Sequence, residues 1–403
     1  MIQKVLIFNH IGWNQTVSSL VEGRKSKPEL ELFSTTKSNY GEDILIKSER
    51  EYLVNKYLTG IDLPSEDNHA PSLCVISTVV DSVAYIEECQ ELMAWADLII
   101  MFDDNGSETS AHFYSDENDG KGRSKNNVLH QYSLYYHQDK IVMINPGDFS
   151  ESDKMYGKYF GAHPTYYRVY FKREKDLNID ISSRLDIEWA SNVEPIPFSA
   201  EERYFASGKE FDNIWDNKKL KLSALFRWEG HEEGGFGRQD IKKALNEKYY
   251  EDTQCIIGNI FGRSSKEDNI DIKLEGVDTG ECVRHHHKYF DVLSQTKINI
   301  EGRPGHKAFY TGRMMESLAN GCCYFYPTPT YNVDFPNGLV DGEDFIIYHS
   351  PDDLIDKIEY YLSNEGEMRE IAENGFNKLL KYHTSEVRAK EFIETCERYM
   401  YEN

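Results

Sequence analysis

The sequence predicts an α/β protein built from two doubly wound, Rossmann-like domains. Three observations predict it. The chain has 403 residues, long for one hydrophobic core and comfortable for two. Short Val/Ile-rich runs recur between helical or loop-like segments, which is the rhythm of βαβ units. Residues 297–327, KINIEGRPGHKAFYTGRMMESLANGCCYFYP, read as strand, glycine-rich loop, helix and second strand. Two such domains joined by a linker would face a central cleft at the carboxyl ends of their sheets, where ligands bind in this architecture.

In chain order, residues 4–9, 73–78, 97–102 and 140–145 are expected to be buried parallel strands, because they are continuously apolar rather than alternating. Residues 81–96 have helical periodicity, with Val83, Ile86, Leu92 and Met93 as contacts. Residues 115–125 are polar and loop-like, and 165–173 alternate as another strand. The stretch 205–219 looks like the connection between domains. The N-terminal domain is therefore expected over 1–217 and the C-terminal domain over 218–384. A second strand series follows at 220–227, 254–260, 297–300 and 322–326. Ser350, Pro351 and Asp353 form a helix start, with a Ser cap, Pro at the first position and Asp at the third. Leu354, Ile355, Ile358, Tyr361 and Leu362 then share one helix face.

Composition narrows the function classes. Hydrophobic residues make up 39% and aromatic residues 13%, enough for a packed core. No window approaches ~18 continuous apolar residues, so no transmembrane helix is expected. The first residues, MIQKVLIFNHIGW, read as a strand rather than a signal peptide. The 7 cysteines show no CxxC spacing, which suggests reduced core residues in a cytoplasmic protein. The formal net charge is −24, and such a field repels nucleic acid and anionic membrane unless a basic face is segregated.

The motif at 297–327 carries the chemistry. A helix is expected from Gly312 to Asn320, with Thr311 as N-cap and Gly321 as its stop. Met314, Met315, Leu318 and Ala319 fall on one side, and Arg313, Glu316 and Asn320 on the other. A glycine loop, the free N–H groups of a helix start and a nearby Arg can hold phosphate. A carboxylate one turn on can accept hydrogen bonds from ribose hydroxyls, and together they suggest a nucleotide diphosphate site. The plainer alternative is a surface ion pair between Arg313 and Glu316 over an ordinary βα turn.

This segment resembles the donor site of GT-B fold glycosyltransferases with a CgeB-like C-terminal domain, the glycosyl transferases group 1 type. The pattern Arg-x-x-Glu-x-Leu-Ala-x-Gly stands here as Arg313, Glu316, Leu318, Ala319 and Gly321. The run DGEDFIIY at 341–348, SPDDL at 350–354 and His383-Thr384 extend the likeness, which covers about 219–399. Related retaining enzymes carry a second Glu eight residues before the ribose-binding one, and here that position is Ala308.

The resemblance implies an enzyme moving a sugar from a nucleotide diphosphate sugar to a hydroxyl acceptor. It implies donor contacts at Arg227 and Arg238 around the first glycine-containing loop and at Gly258 and Asn259 after the next strand. Further donor contacts are expected at Gly302, Gly305, Lys307, Thr311, Arg313 and Glu316. The acceptor side and any catalytic base should come from the first domain, where His10, Asp103, Asp104 and Asp148 follow strand ends. The last helix, 385–403, is expected to cross back to that domain. No cofactor and no metal are expected. His285, His286 and His287 would point about 100° apart on a helix and cannot converge on one ion. Two rivals stand beside this: a non-catalytic binding or scaffold protein of the same fold, and a phage-type glycosyltransferase acting on modified DNA bases. A dehydrogenase is disfavoured because the first strand runs into Asn9–His10–Ile11–Gly12–Trp13, with no G-x-G-x-x-G.

Overall fold

The computed structural model describes residues 1–8, 23, 31–34, 93–102, 137–145, 168–172, 193–226, 236–258, 273–274, 277–278, 287–302, 311–328 and 339–402. They form two compact units, Met1–Pro197 with Ser385–Asn403, and Phe198–Thr384.

The first unit holds a six-stranded, wholly parallel sheet in the order β2-β1-β3-β4-β5-β6. Its strands are β1 (Lys4–Phe8), β2 (Glu31–Ser34), β3 (Leu98–Phe102), β4 (Ile141–Asn145), β5 (Val169–Lys172) and β6 (Val193–Pro195). Strand order reverses at β1 and β3, which makes their carboxyl ends the topological switch point. His10, Asp103 and Asp104 follow those two ends in sequence, and Asp148 follows β4; all four lie outside the described residues, as does the strand expected at 73–78. The Asp97 carboxylate ties the start of β3 to that of β1 by accepting from the backbone N–H of Gln3 (3.0 Å) and Lys4 (2.9 Å). Two strands, β2 and β6, have no counterpart in the sequence reading. ELFS and VEP are too short and too mixed to show a period.

The second unit holds five parallel strands in the order β13-β12-β11-β7-β8, with a two-stranded antiparallel pair beside them. The main strands are β7 (Leu220–Leu225), β8 (Cys255–Gly258), β11 (Thr296–Ile300), β12 (Cys323–Pro327) and β13 (Ile346–Tyr348); the pair is β9 (Lys273–Leu274) with β10 (Val277–Asp278). The helices of this unit are α1 (Phe211–Asp216), α2 (Arg238–Tyr249), α3 (His287–Gln295), α4 (Gly312–Ala319), α5 (Pro351–Ser363) and α6 (Glu365–Tyr382). The chain steps from β7 to β8 in one direction and from β11 to β12 to β13 in the other. Right-handed crossovers therefore put α2 and α4 on opposite faces. Consistent with this, α2 packs with α5, whereas α4 packs with α3 and α6. The Ser350 hydroxyl caps α5 by accepting from the N–H of Asp353 (3.1 Å).

The boundary falls earlier than the sequence suggests. Residues 205–219, expected as the connection between domains, belong to the second unit: Phe205, Phe211, Ile214 and Trp215 are buried in its core, as is Phe198 before them. Aromatic contacts explain it, with the Phe211 and Phe205 rings 5.7 and 6.4 Å from that of Phe376 on α6. The last helix, α7 (Ser385–Tyr401), lies instead in the first unit. There Ala389, Phe392, Ile393 and Cys396 join Ile2, Val5, Leu98, Ile100, Val142, Ile144 and Phe171 in one core. A Cβ at Gly23 would sit 2.1 Å from the Ser385 carbonyl oxygen, so a glycine is what lets the chain approach the start of α7 there.

Candidate functional site

In the second unit the strand order reverses between β7 and β11, and a doubly wound sheet binds ligands outside the carboxyl ends at such a point. Phe226 follows β7 there, and Glu301 and Gly302 follow β11. A Cβ on Gly302 would lie 2.3 Å from the Phe226 ring, and Phe226 is fully buried. Gly302 is thus required by a close approach rather than by turn conformation. A buried polar chain joins the two strands to α4. The Ser223 hydroxyl donates to Asn299 Oδ1 (2.7 Å), the Asn299 amide donates to Ser317 Oγ (2.6 Å), and Ser317 donates to the Arg313 carbonyl (2.6 Å).

Helix α4 starts and stops where the sequence places it, and Gly321 beyond it has φ +63°, the left-handed conformation of a helix stop. The rest of the helix departs from expectation. All of Gly312–Ala319 is buried: Tyr289 of α3 and the backbone at Tyr204 meet the polar side at Glu316 and Asn320, and Leu318 packs near Gly375 of α6. Arg313 and Glu316 are therefore not a surface ion pair. The Arg313 guanidinium donates to Glu301 Oε1 (2.7 Å), and the carboxylate of Glu316, which is 1% exposed, accepts at Oε2 from the Tyr289 hydroxyl (3.0 Å). Asn320 donates to the carbonyls of Tyr204 and Glu316, both at 2.8 Å. Thr311 occupies the N-cap, yet its hydroxyl caps no helix N–H. It donates to Glu301 Oε2 (2.6 Å).

Glu301 is the site residue the sequence reading missed. Its Oε2 also accepts from Tyr324 (2.9 Å), and its carbonyl accepts from the Tyr348 hydroxyl (2.5 Å). The available signal was an acid directly after the central strand and directly before a glycine, which a surface-loop reading passes over. Burial works against the Arg313 charge, but Glu301, with Tyr289, Glu316 and Tyr324, more than offsets it and raises the pKa. Burial, reinforced by Glu316, holds the Tyr289 phenol well above its ordinary value, and burial reinforced by Glu301 does the same for Tyr324. Both therefore stay hydroxyl donors. The Arg313 Nε has no hydrogen-bond partner among the described residues.

Of the other expected site residues, Arg238 opens α2 and is half-buried, behind a Gly237 N–H that donates to Asp240 Oδ2 (2.7 Å). The Phe236 ring just before it lies 5.8 Å from that of Tyr348, bringing the start of α2 beside the carboxyl end of β13. Gly258 is the half-buried last residue of β8. Arg227, Asn259, Gly305 and Lys307 lie outside the described residues, as do His285 and His286. Among the described residues no group of three His, Cys, Asp or Glu could hold a metal ion. No described helix is long and apolar enough to cross a membrane.

The fold is that of the GT-B glycosyltransferases, with two Rossmann-like units in one chain. A glycosyltransferase from Rickettsia africae ESF-5 shares it over 100% of both chains, at TM-score 0.59 and 11% identity. An alpha-glucosyltransferase in complex with UDP-glucose and DNA containing an abasic site is similar over 98% of each chain, at TM-score 0.58 and 11% identity. The fold is also that of a UDP-N-acetylglucosamine 2-epimerase, at TM-score 0.50 and 8% identity over 100% of this chain and 97% of the other. No curated protein matches the sequence. More particularly, residues 238–394 match the family model described as Glycosyl transferase-like. Glu301, Arg313 and Glu316 all lie within the matched stretch.

Proposed function

We propose that the protein transfers a hexose or pentose from a nucleotide diphosphate sugar to a hydroxyl acceptor, with no metal or cofactor. The observation that carries this is the glycosyl transferase-like match over 238–394, which spans the strand–loop–helix unit at the switch point. Neighbours of the same fold bind UDP-glucose, by the description of the alpha-glucosyltransferase. That makes a uridine diphosphate sugar the donor to try first. In this reading Glu316 holds the ribose. Gly258 and Asn259 lie against the base, and Gly302, Gly305 and Thr311 shape the phosphate loop. Arg227, Arg238 and Lys307 offset the diphosphate charge as the sugar–phosphate bond breaks. The acceptor hydroxyl attacks C1 and gives its proton to a base drawn from His10, Asp103, Asp104 and Asp148. The charge of −24 favours a glycan, lipid, protein or small-molecule acceptor over DNA.

The test is calorimetry with UDP on the parent protein, Glu316→Ala and Tyr289→Phe, followed by mass spectrometry of products from UDP-sugars. Glu316→Ala should cost roughly 1.5–3 kcal/mol of UDP binding, the range for a hydrogen bond to a charged group. Tyr289→Phe, which leaves the carboxylate in place, should cost less. Equal UDP affinity in all three proteins would remove Glu316 from the donor site. A product that is an epimerised UDP-sugar, with no transfer to any acceptor, would overturn the transferase reading.

A further inference from the structure

The chain leaves β11 through Glu301 and Gly302 and re-enters described structure at Thr311, one residue before α4. Both flanks meet on one carboxylate. Glu301, 1% exposed, takes Arg313 on one oxygen and Thr311 and Tyr324 on the other. Its carbonyl is held by Tyr348, so β11, β12, β13 and α4 are joined at a single residue. The Arg313 charge already faces a carboxylate at 2.7 Å and is not a spare cation for a diphosphate. Glu316 lies one turn beyond Arg313 on the same helix, and Ser317, bonded to the Arg313 carbonyl, ties that turn to Asn299. A shift of the first turn would therefore carry Glu316 with it.

We propose that Glu301 and Arg313 form a clip that fixes the start of α4 and, through α4, positions Glu316 for the donor. They are positioning residues and do not touch the donor themselves. The placement of Glu316 rests on the donor-site reading above; the clip itself does not. The competing role for Arg313 is direct contact with a ligand oxygen through its Nε, the guanidinium nitrogen without a partner among the described residues.

The experiment is amide hydrogen exchange of the intact protein and its Glu301→Gln, Arg313→Met, Arg313→Lys and doubly substituted forms, paired with calorimetry using UDP and uridine. In either disrupting single variant the amides of 312–315 should exchange at least about tenfold faster, while those of α5 keep the parent rate, since openings are local when one clip is cut. The double variant should show no further gain, because both changes cut the same clip. Arg313→Lys, which keeps a cation for Glu301, should recover most of the protection. UDP and uridine should lose affinity by the same factor in both disrupting variants. Thr311→Val, which removes one donor without stranding a charge, should give a smaller acceleration and serves if Glu301→Gln does not fold. Parent exchange rates at 312–315 in Glu301→Gln, or in Thr311→Val in its stead, would overturn the clip. So would an Arg313→Met variant that loses about tenfold in UDP affinity but none in uridine affinity, as direct phosphate contact requires. Failure of the parent to bind UDP would refute the donor reading, and the exchange rates would still decide whether the clip holds α4.

Discussion

Replacing Gly302 by Ala is a sharp perturbation because the added methyl has nowhere to go. Its Cβ would stand 2.3 Å from two atoms of the Phe226 ring and 2.7 Å from a third, far inside van der Waals contact. The ring is the far end of a side chain and could in principle rotate away. Phe226, however, is 0% exposed and sits in the core with Ile300 and Tyr348, so a rotated ring must be taken up by other core side chains. Overpacking of this kind costs about 1–3 kcal/mol. For a unit of this size each kcal/mol lowers the melting temperature by roughly 2–4 °C, giving an expected drop of about 2–12 °C in scanning calorimetry. UDP affinity should fall as well, since Glu301 and the start of α4 adjoin the strained residue. Adding Phe226→Leu removes the outer ring atoms, so the double variant should be more stable than the sum of the single effects allows, by at least about 0.5 kcal/mol. A Gly302→Ala protein that melts with the parent would show that Phe226 yields freely and that the close approach imposes nothing.

Two further outcomes follow from burial and charge. Phe392, 3% exposed and with its ring 4.5 Å from that of Phe171, anchors α7. Phe392→Ala should cost the first unit about 3–5 kcal/mol in urea unfolding while UDP binding by the second unit survives; an unchanged midpoint would show α7 to be an appendage. Tyr289 and Tyr324 have raised pKa values in the folded state, so the unfolded chain releases their protons first as pH rises above ~10. The stability they contribute is present below that pH and lost progressively above it. Tyr324→Phe should accordingly flatten the fall in melting temperature between about pH 9 and 11, and an identical slope in parent and variant would show that Tyr324 is not the titrating group.

Much of the second unit was legible in its sequence because its elements are long or sharply punctuated. Ser350 and Pro351 mark the start of α5, and Gly321 marks the end of α4. The parallel strands read as apolar runs, since both faces of a doubly wound sheet are covered. Periodicity could not tell which helix side meets water when both sides are buried. Arg313, Glu316 and Asn320 look like a solvent face by their chemistry alone, yet each finds a buried partner, in Glu301, Tyr289 and Tyr204 respectively. The same limit hid Glu301, whose partners lie 10 to 47 residues away in the chain. The segment 205–219 read as a connection between domains because its aromatics lack a regular period. Its allegiance was set by distant partners such as Phe376, a tertiary fact.

The placement of α7 has a consequence for how the chain is made. The first unit is discontinuous, with Phe198–Thr384 inserted between its sheet and its last helix. During synthesis the six-stranded sheet emerges early, yet the core that holds Val5, Leu98, Ile100 and Val142 lacks Phe392 and Ile393 until α7 follows. The inserted unit is continuous and can complete its own core first. Of the two cores, the one begun first is thus the one completed last. A stop codon near position 385 would leave that core permanently without Phe392 and Ile393.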